Sequence, residues 1–192
     1  LGFLRLDEAT NGQINSSGNE GLMDQRNAIK WVKENISSFG GDPNNITIFG
    51  ESAGSWSCNL QIAAGHDNLF QKAICQSGGL DAIATKEKAN QWAELFIDQF
   101  EKDGHKASDL RSCDWKTIIN TAKKLKHSRL SDGKTWIFPE VGFLPVIDNK
   151  FIMDDYLETY SSSSTHLIAG TTLDEYKLWS CLLYTSDAAD DN

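Results

Sequence analysis

The run Thr47-Ile48-Phe49-Gly50-Glu51-Ser52-Ala53-Gly54-Ser55 decides the fold. A short apolar β-run ends at Phe49, Gly-x-Ser-x-Gly follows, and small residues lead into a predicted helix. This is the pattern of a nucleophile elbow, in which a tight strand-to-helix turn pushes a serine out of the sheet edge in a strained conformation. Gly50 and Gly54 are expected to be glycine because a β-carbon at either would collide with the neighbouring strand or the helix start. The plainer alternative for Ser52 is a helix-capping serine on an ordinary turn.

Outward from the elbow the pattern alternates. Upstream, Leu22, Ile29, Val32 and Ile36 recur at helical spacing, with Ala28 and Trp31 widening the stripe. Gly40-Gly41 predicts the helix stop and Asp42-Pro43 a turn. Downstream, Ser55 to Ala64 continues as helix, and Gln71 to Gln76 reads as the next parallel strand, ending at Ser77-Gly78-Gly79. This rhythm predicts an α/β fold with a doubly wound, mostly parallel sheet. Two amphipathic helices then interrupt it. Ala89, Trp92, Phe96 and Phe100 line one; Trp115, Ile118, Ile119, Ala122 and Leu125 line the other behind an Asp114 N-cap. Ser161 to Ser164 reads as a solvated loop. His166 to Gly170 is again strand, running into a turn through Thr172 that delivers Asp174 and Glu175 to the carboxyl edge, where ligand groups belong in such sheets.

Four stretches carry a closer resemblance. Gly18-Asn19-Glu20-Gly21-Leu22-Met23-Asp24-Gln25 is followed by Trp31-Val32-Lys33-Glu34-Asn35-Ile36, then Phe39-Gly40-Gly41-Asp42-Pro43, then the elbow itself. From about Leu1 to Trp179 the chain resembles the type-B carboxylesterase/cholinesterase family of α/β-hydrolases. The resemblance implies an α/β-hydrolase fold, with a small-molecule carboxylic ester as substrate and neither metal nor cofactor. The two inserted helices would help roof a substrate gorge, or simply pack on the domain surface. Leu1 to Leu4 resembles the end of a central strand, and Phe143 to Asp148 resembles the family's strand ending Pro-Val-Ile/Val-Asp. Ser52 would be the nucleophile and the Ala53 N–H an oxyanion donor. Gly170-Thr171-Thr172-Leu173-Asp174-Glu175 matches the family's acid segment and implies Glu175 as the triad acid, with Asp174 the competing carboxylate. The family often carries a small residue where Tyr176 stands, which implies a bulkier pocket wall. Glu51 and Ser77 would support the site, the first electrostatically and the second by a hydrogen bond to Glu175; an exposed acid and a turn serine are the plainer alternatives.

The chain order of such triads is nucleophile, acid, histidine. His66, His105, His127 and His166 all precede Glu175, so none fits as the base. The Gly-rich oxyanion loop also belongs upstream of Leu1. The resemblance implies a domain more than twice this length, so the chain is expected to be an internal piece, inactive alone and prone to aggregate through unpaired sheet edges. A catalytically inactive, cholinesterase-like binding or adhesion module is the alternative function; such modules typically lose triad members, and Ser52 and Glu175 are both present.

Cys181 to Asp191 bears no relation to the family and resembles the translation of a sequencing-library adapter. Residues 1–180 are accordingly expected to be partial esterase domain and 181–192 a non-native tail, a genuine acidic disordered tail being the alternative. Charge bears on one class of partner. The 192 residues carry 27 acids and 18 bases, net -9; without Asp187, Asp190 and Asp191 the net is -6. An acidic chain without a basic patch argues against nucleic acid. No apolar run is long enough for a membrane span. No signal peptide is visible, which says nothing of location in a chain that lacks an initiator Met. Cys58, Cys75 and Cys113 match no zinc spacing and read as free thiols. Three Asn-x-Ser/Thr matches, at Asn15, Asn35 and Asn45, read as chance.

Overall fold

The computed structural model describes residues 2–65, 68–125, 142–175 and 177. His66, His127, Tyr176, Trp179 and the tail 181–192 lie outside the described residues. In chain order the elements are α1 (Glu20–Asn35), β1 (Thr47–Glu51), α2 (Ala53–Ala63), β2 (Lys72–Gln76), α3 (Lys86–Lys102), α4 (Trp115–Lys124), α5 (Tyr156–Ser161) and β3 (His166–Gly170). None of the described helices is long and apolar enough to cross a membrane. The chain divides into two compact units, one formed by Leu1–Lys30 with Ala82–Glu158 and the other by Trp31–Asp81 with Thr159–Asn192.

The second unit holds the sheet. β1, β2 and β3 lie in that order, all parallel, with Glu51, Gln76 and Gly170 level at the carboxyl edge. A parallel pair needs a crossover, and α2 supplies the one between β1 and β2. The predicted stop before β1 is present: Gly40 is left-handed at φ 83°, and the Gly41 N–H closes on the Ile36 carbonyl at 3.0 Å. Asp42 then accepts the Asn44 N–H at 2.8 Å, the turn that Asp42-Pro43 predicts. Cys58 and Cys75 are buried free thiols, and burial pushes the Cys58 thiol up to about 11. On the other face Phe49, Ile74 and Ile168 stand in register, with Phe49 75% and Ile168 66% exposed.

The first unit is helical. Trp92, Phe96 and Phe100 are buried on α3, as their spacing predicts, with Leu4, Leu6, Ile14 and Leu125 around them. Thr85 caps α3 and Asp114 caps α4, accepting the Lys116 N–H at 2.8 Å. The α4 stripe is narrower than predicted. Ile118, Ala122 and Leu125 pack inward, whereas Trp115 is 57% and Ile119 37% exposed. Trp115 stands at the helix start and Ile119 one position off the stripe, so neither meets the α3 core.

Two strands expected from the resemblance do not form among the described residues. Leu1 to Leu4 reads as a strand end, but the described residues 2–4 form a turn and loop: the Gly21 N–H bonds the Gly2 carbonyl at 2.8 Å, and the Ser16 hydroxyl bonds the Leu4 carbonyl at 2.6 Å. Phe143 to Asp148 makes one bridge, between Ala84 and Val146. Asn19 explains this. Its amide donates to the Val146 carbonyl and accepts the Val146 N–H, both at 2.8 Å, so no strand can pair there on that side. Pro145 has no N–H to offer either.

Asp148 closes the same segment by accepting the N–H groups of Lys150, Phe151 and Ile152 at 3.1, 2.8 and 3.0 Å. Burial is the largest single influence on it and pushes the carboxyl up, but those N–H groups and the Asn19 amide outweigh it and hold the group below the usual aspartate range. A depressed folded pKa adds stability above the unfolded value, lost as pH falls through the folded one. Asp148→Ala should therefore cost about 2 kcal/mol at pH 7 in urea unfolding. The gap to the parent chain should close as pH falls below about 4, the ordinary aspartate value; a gap independent of pH would sink the carboxylate account.

Candidate active site

Ser52 directly follows β1 with φ 53° and ψ -118°, a region that costs a non-glycine residue roughly 1–3 kcal/mol. Neighbours hold it there. Its N–H donates to the Gln76 carbonyl on β2 at 2.9 Å, and its carbonyl accepts the Trp56 N–H at 3.0 Å, the first bond of α2. The Ser52 side chain makes no capping bond to α2, so the helix-cap alternative does not hold. The N–H groups of Ala53, Gly54 and Ser55, in the first turn, have no acceptor within the helix. They stand at its positive end, suited to a developing oxyanion. Ala53 and Glu51 are exposed beside the serine.

The glycines divide. A β-carbon on Gly50 would lie 2.2 Å from the Gly54 carbonyl carbon, so this approach needs glycine. One on Gly54 would meet nothing within 4 Å. The expected collision at Gly54 is therefore corrected: Gly50 is the residue that packs, and Gly54 is what it packs against. Gly78 is the second close approach, since a β-carbon there would lie 2.8 Å from the Ser52 carbonyl oxygen.

Ser77 directly follows β2 as Ser52 follows β1, also at positive φ (57°), with its N–H on the Gly170 carbonyl of β3 at 2.8 Å. Its hydroxyl donates to Glu175 Oε2 at 2.8 Å. Thr172 adds two bonds to the same oxygen, from its N–H at 2.9 Å and its hydroxyl at 3.0 Å. The Thr172 N–H first, and then the Ser77 hydroxyl, hold the Glu175 carboxyl below the usual glutamate range. Asp174 faces elsewhere, paired with Lys177 at 2.6 Å and exposed. The carboxyl edge thus presents Ser52, Ser77 and Glu175 after three successive strands. His166 opens β3, four residues and about 13 Å from that edge. His105 is in the other unit, stacked on Phe100.

Three polar residues here escape the sequence reading. Ser55 and Asn59 on α2 both donate to the Gly78 carbonyl, at 2.8 and 3.0 Å, and the Tyr160 hydroxyl donates to Asn59 Oδ1 at 2.8 Å. The available signal was Asn59 itself, a polar residue beside the apolar Leu60 and Ile62. At 4% exposure such an amide needs partners.

The carboxylesterase family model matches residues 1–191. The chain is 40% identical over 177 residues to the bile salt-activated lipase of Bos taurus, covering 89% of this chain and 28% of that protein. It is 35% identical over 179 residues to the para-nitrobenzyl esterase of Bacillus subtilis strain 168, covering 91% and 35%. A crystal structure of a Geobacillus stearothermophilus carboxylesterase superimposes with a TM-score of 0.77 at 31% identity, covering 95% of this chain and 37% of that one. The described sheet and helices are a partial α/β-hydrolase fold. The chain spans about a third of the length of the relatives it matches.

Proposed function

The chain belongs to the carboxylesterase family, and on that premise we propose that it carries the nucleophile and acid of a type-B carboxylic ester hydrolase. The observation that supports this best is Ser52, strained at φ 53° on the sheet's carboxyl edge with its side chain uncommitted to the helix. In this reading the Ser52 hydroxyl attacks the ester carbonyl carbon while an imidazole takes its proton. The Ala53 N–H holds the oxyanion. The alcohol then leaves with the proton from the imidazolium, giving an acyl-serine that water hydrolyses. Glu175 orients the imidazole and stabilises its cation, Ser77 positions Glu175, and the exposed Glu51 adds negative potential beside the nucleophile.

No histidine follows Glu175 in the 192 residues. The base in this proposal comes from the part of the esterase domain that the chain does not span, and the chain alone does not turn over. In this proposal residues 1–180 are the esterase portion, while the family model's match runs on to residue 191. The substrate class is a small-molecule carboxylic ester, the chemistry named for the esterase relative. An inactive binding module has no need of a strained serine and a held carboxylate at one edge.

The test is covalent labelling with diethyl p-nitrophenyl phosphate, followed by intact mass and peptide mapping. The complete domain should take one adduct, at Ser52, within minutes; the 192-residue chain should take none in that time. An adduct on another residue of the complete domain, or none, overturns the proposal.

A further inference from the structure

A buried amide network lies beneath the elbow. Asn59 is 4% exposed and Ser55 fully buried, on a helix whose other inward residues include Cys58, Leu60 and Ile62. Their bonds converge on one acceptor. The Gly78 carbonyl takes the Ser55 hydroxyl at 2.8 Å and the Asn59 amide at 3.0 Å, and the same amide also reaches the Ser55 carbonyl at 3.1 Å. The Gly78 and Ser55 carbonyls can only accept, so they fix Nδ2 toward themselves, and the Tyr160 hydroxyl anchors the other end by donating to Asn59 Oδ1 at 2.8 Å. Tyr160 lies 101 residues away, on α5 before β3, so the network ties the elbow helix to the strand that delivers Glu175.

We propose that Asn59, held by Tyr160, is a positioning residue for the Glu175 carboxylate. The route is short. Gly78 follows Ser77, and Ser77 is held at positive φ, a conformation serine does not keep without support. Clamping the Gly78 carbonyl from α2 removes the freedom of that peptide unit to rotate. Ser77 then keeps its hydroxyl on Glu175 Oε2, and the helix that begins at the nucleophile also sets the acid. Without the amide, the Ser55 hydroxyl alone holds the carbonyl. The Ser77 hydroxyl is then free to leave Glu175, and the carboxylate loses a donor that favours its charged form. The inference rests on Glu175 as the triad acid and deepens that reading.

The test is read on the whole 192-residue chain, with no ester present. Carboxylate carbons of labelled glutamates are followed by NMR from pH 2.5 to 7, with Glu175 assigned by Glu175→Gln. Ser77→Ala should raise the Glu175 midpoint toward the ordinary glutamate value. Asn59→Leu and Tyr160→Phe should raise it in the same direction by a smaller amount. Cys58→Ala, a buried truncation on the same helix, should lower Tm and leave the midpoint in place, which separates positioning from general stability. Should Asn59→Leu fail to fold, Tyr160→Phe decides, since it removes one oxygen atom. A midpoint that moves with Ser77→Ala but with neither network variant overturns the proposal, and so does one that ignores Ser77→Ala. Either result leaves the Ser52 adduct, and with it the esterase reading, to stand or fall separately.

Discussion

Ser52→Ala in the complete esterase domain is expected to lower kcat for a p-nitrophenyl ester by roughly 10⁵- to 10⁶-fold, leaving KM within a few-fold. The size follows from the role. Loss of the attacking atom removes the acyl-enzyme route, and only binding and oxyanion stabilisation remain. Glu175→Gln should cost about 10⁴-fold, less than the serine, because the carboxamide disturbs the tautomer of the base without removing the nucleophile. The two losses should not add, since they act on one step. Strain supplies a second readout. Ser52 pays for its φ of 53° with local strain, which glycine relieves and alanine does not. Ser52→Gly should thus be more stable than Ser52→Ala by about 1 kcal/mol, although both are inactive. Activity retained in Ser52→Ala would remove the mechanism outright.

Gly50→Ala is expected to destabilise the chain by about 4 kcal/mol in urea unfolding, near the upper end for a single substitution. The added carbon would lie 2.2 Å from a backbone carbon and 2.3 Å from a backbone oxygen of Gly54. Neither can rotate away as a side-chain terminus could, so β1 or the start of α2 must shift. Both are anchored, β1 by its ladder to β2 and the elbow by the Ser52 N–H on Gln76. Gly54→Ala is the matched control. Its β-carbon meets nothing within 4 Å, and at a helix start the change should stay within about 0.5 kcal/mol. Equal costs at the two positions would show that the elbow is not packed as described.

Much of the second unit was legible because its signals are local. The Gly40 stop, the Asp42 turn, the apolar run of β1 and the turn at Ser52 each depend on a few adjacent residues. Helix α3 was legible for the same reason, its apolar residues recurring at helical spacing. The misses share the opposite character. Gly50 and Gly54 look equivalent in Gly-x-Ser-x-Gly, and only the folding of the turn decides which one is packed upon. Phe143 to Asp148 resembles a strand of the family, yet Asn19, 127 residues from Val146, takes both backbone groups a partner strand would need. The exposure of Trp115, in line with the inward stripe of α4 but at the helix start, reflects where the α3 core ends, which no periodicity within α4 encodes.

The site divides along the same line. Sequence alone determined the strand-to-helix turn at Ser52 and the parallel character of the sheet around it, because such a turn is a property of consecutive residues. It also supplied Glu175 as one of two adjacent carboxylates. The tertiary structure gives the two different partners. The register of β2 against β3 sets Ser77 next to the turn after β3, and a hydrogen bond across 98 residues holds Glu175 there while Asp174 pairs with Lys177. The Asn59 network was decided in the same way. A buried amide must find partners somewhere, but which carbonyl it finds depends on strand register and helix packing that form only when distant segments meet.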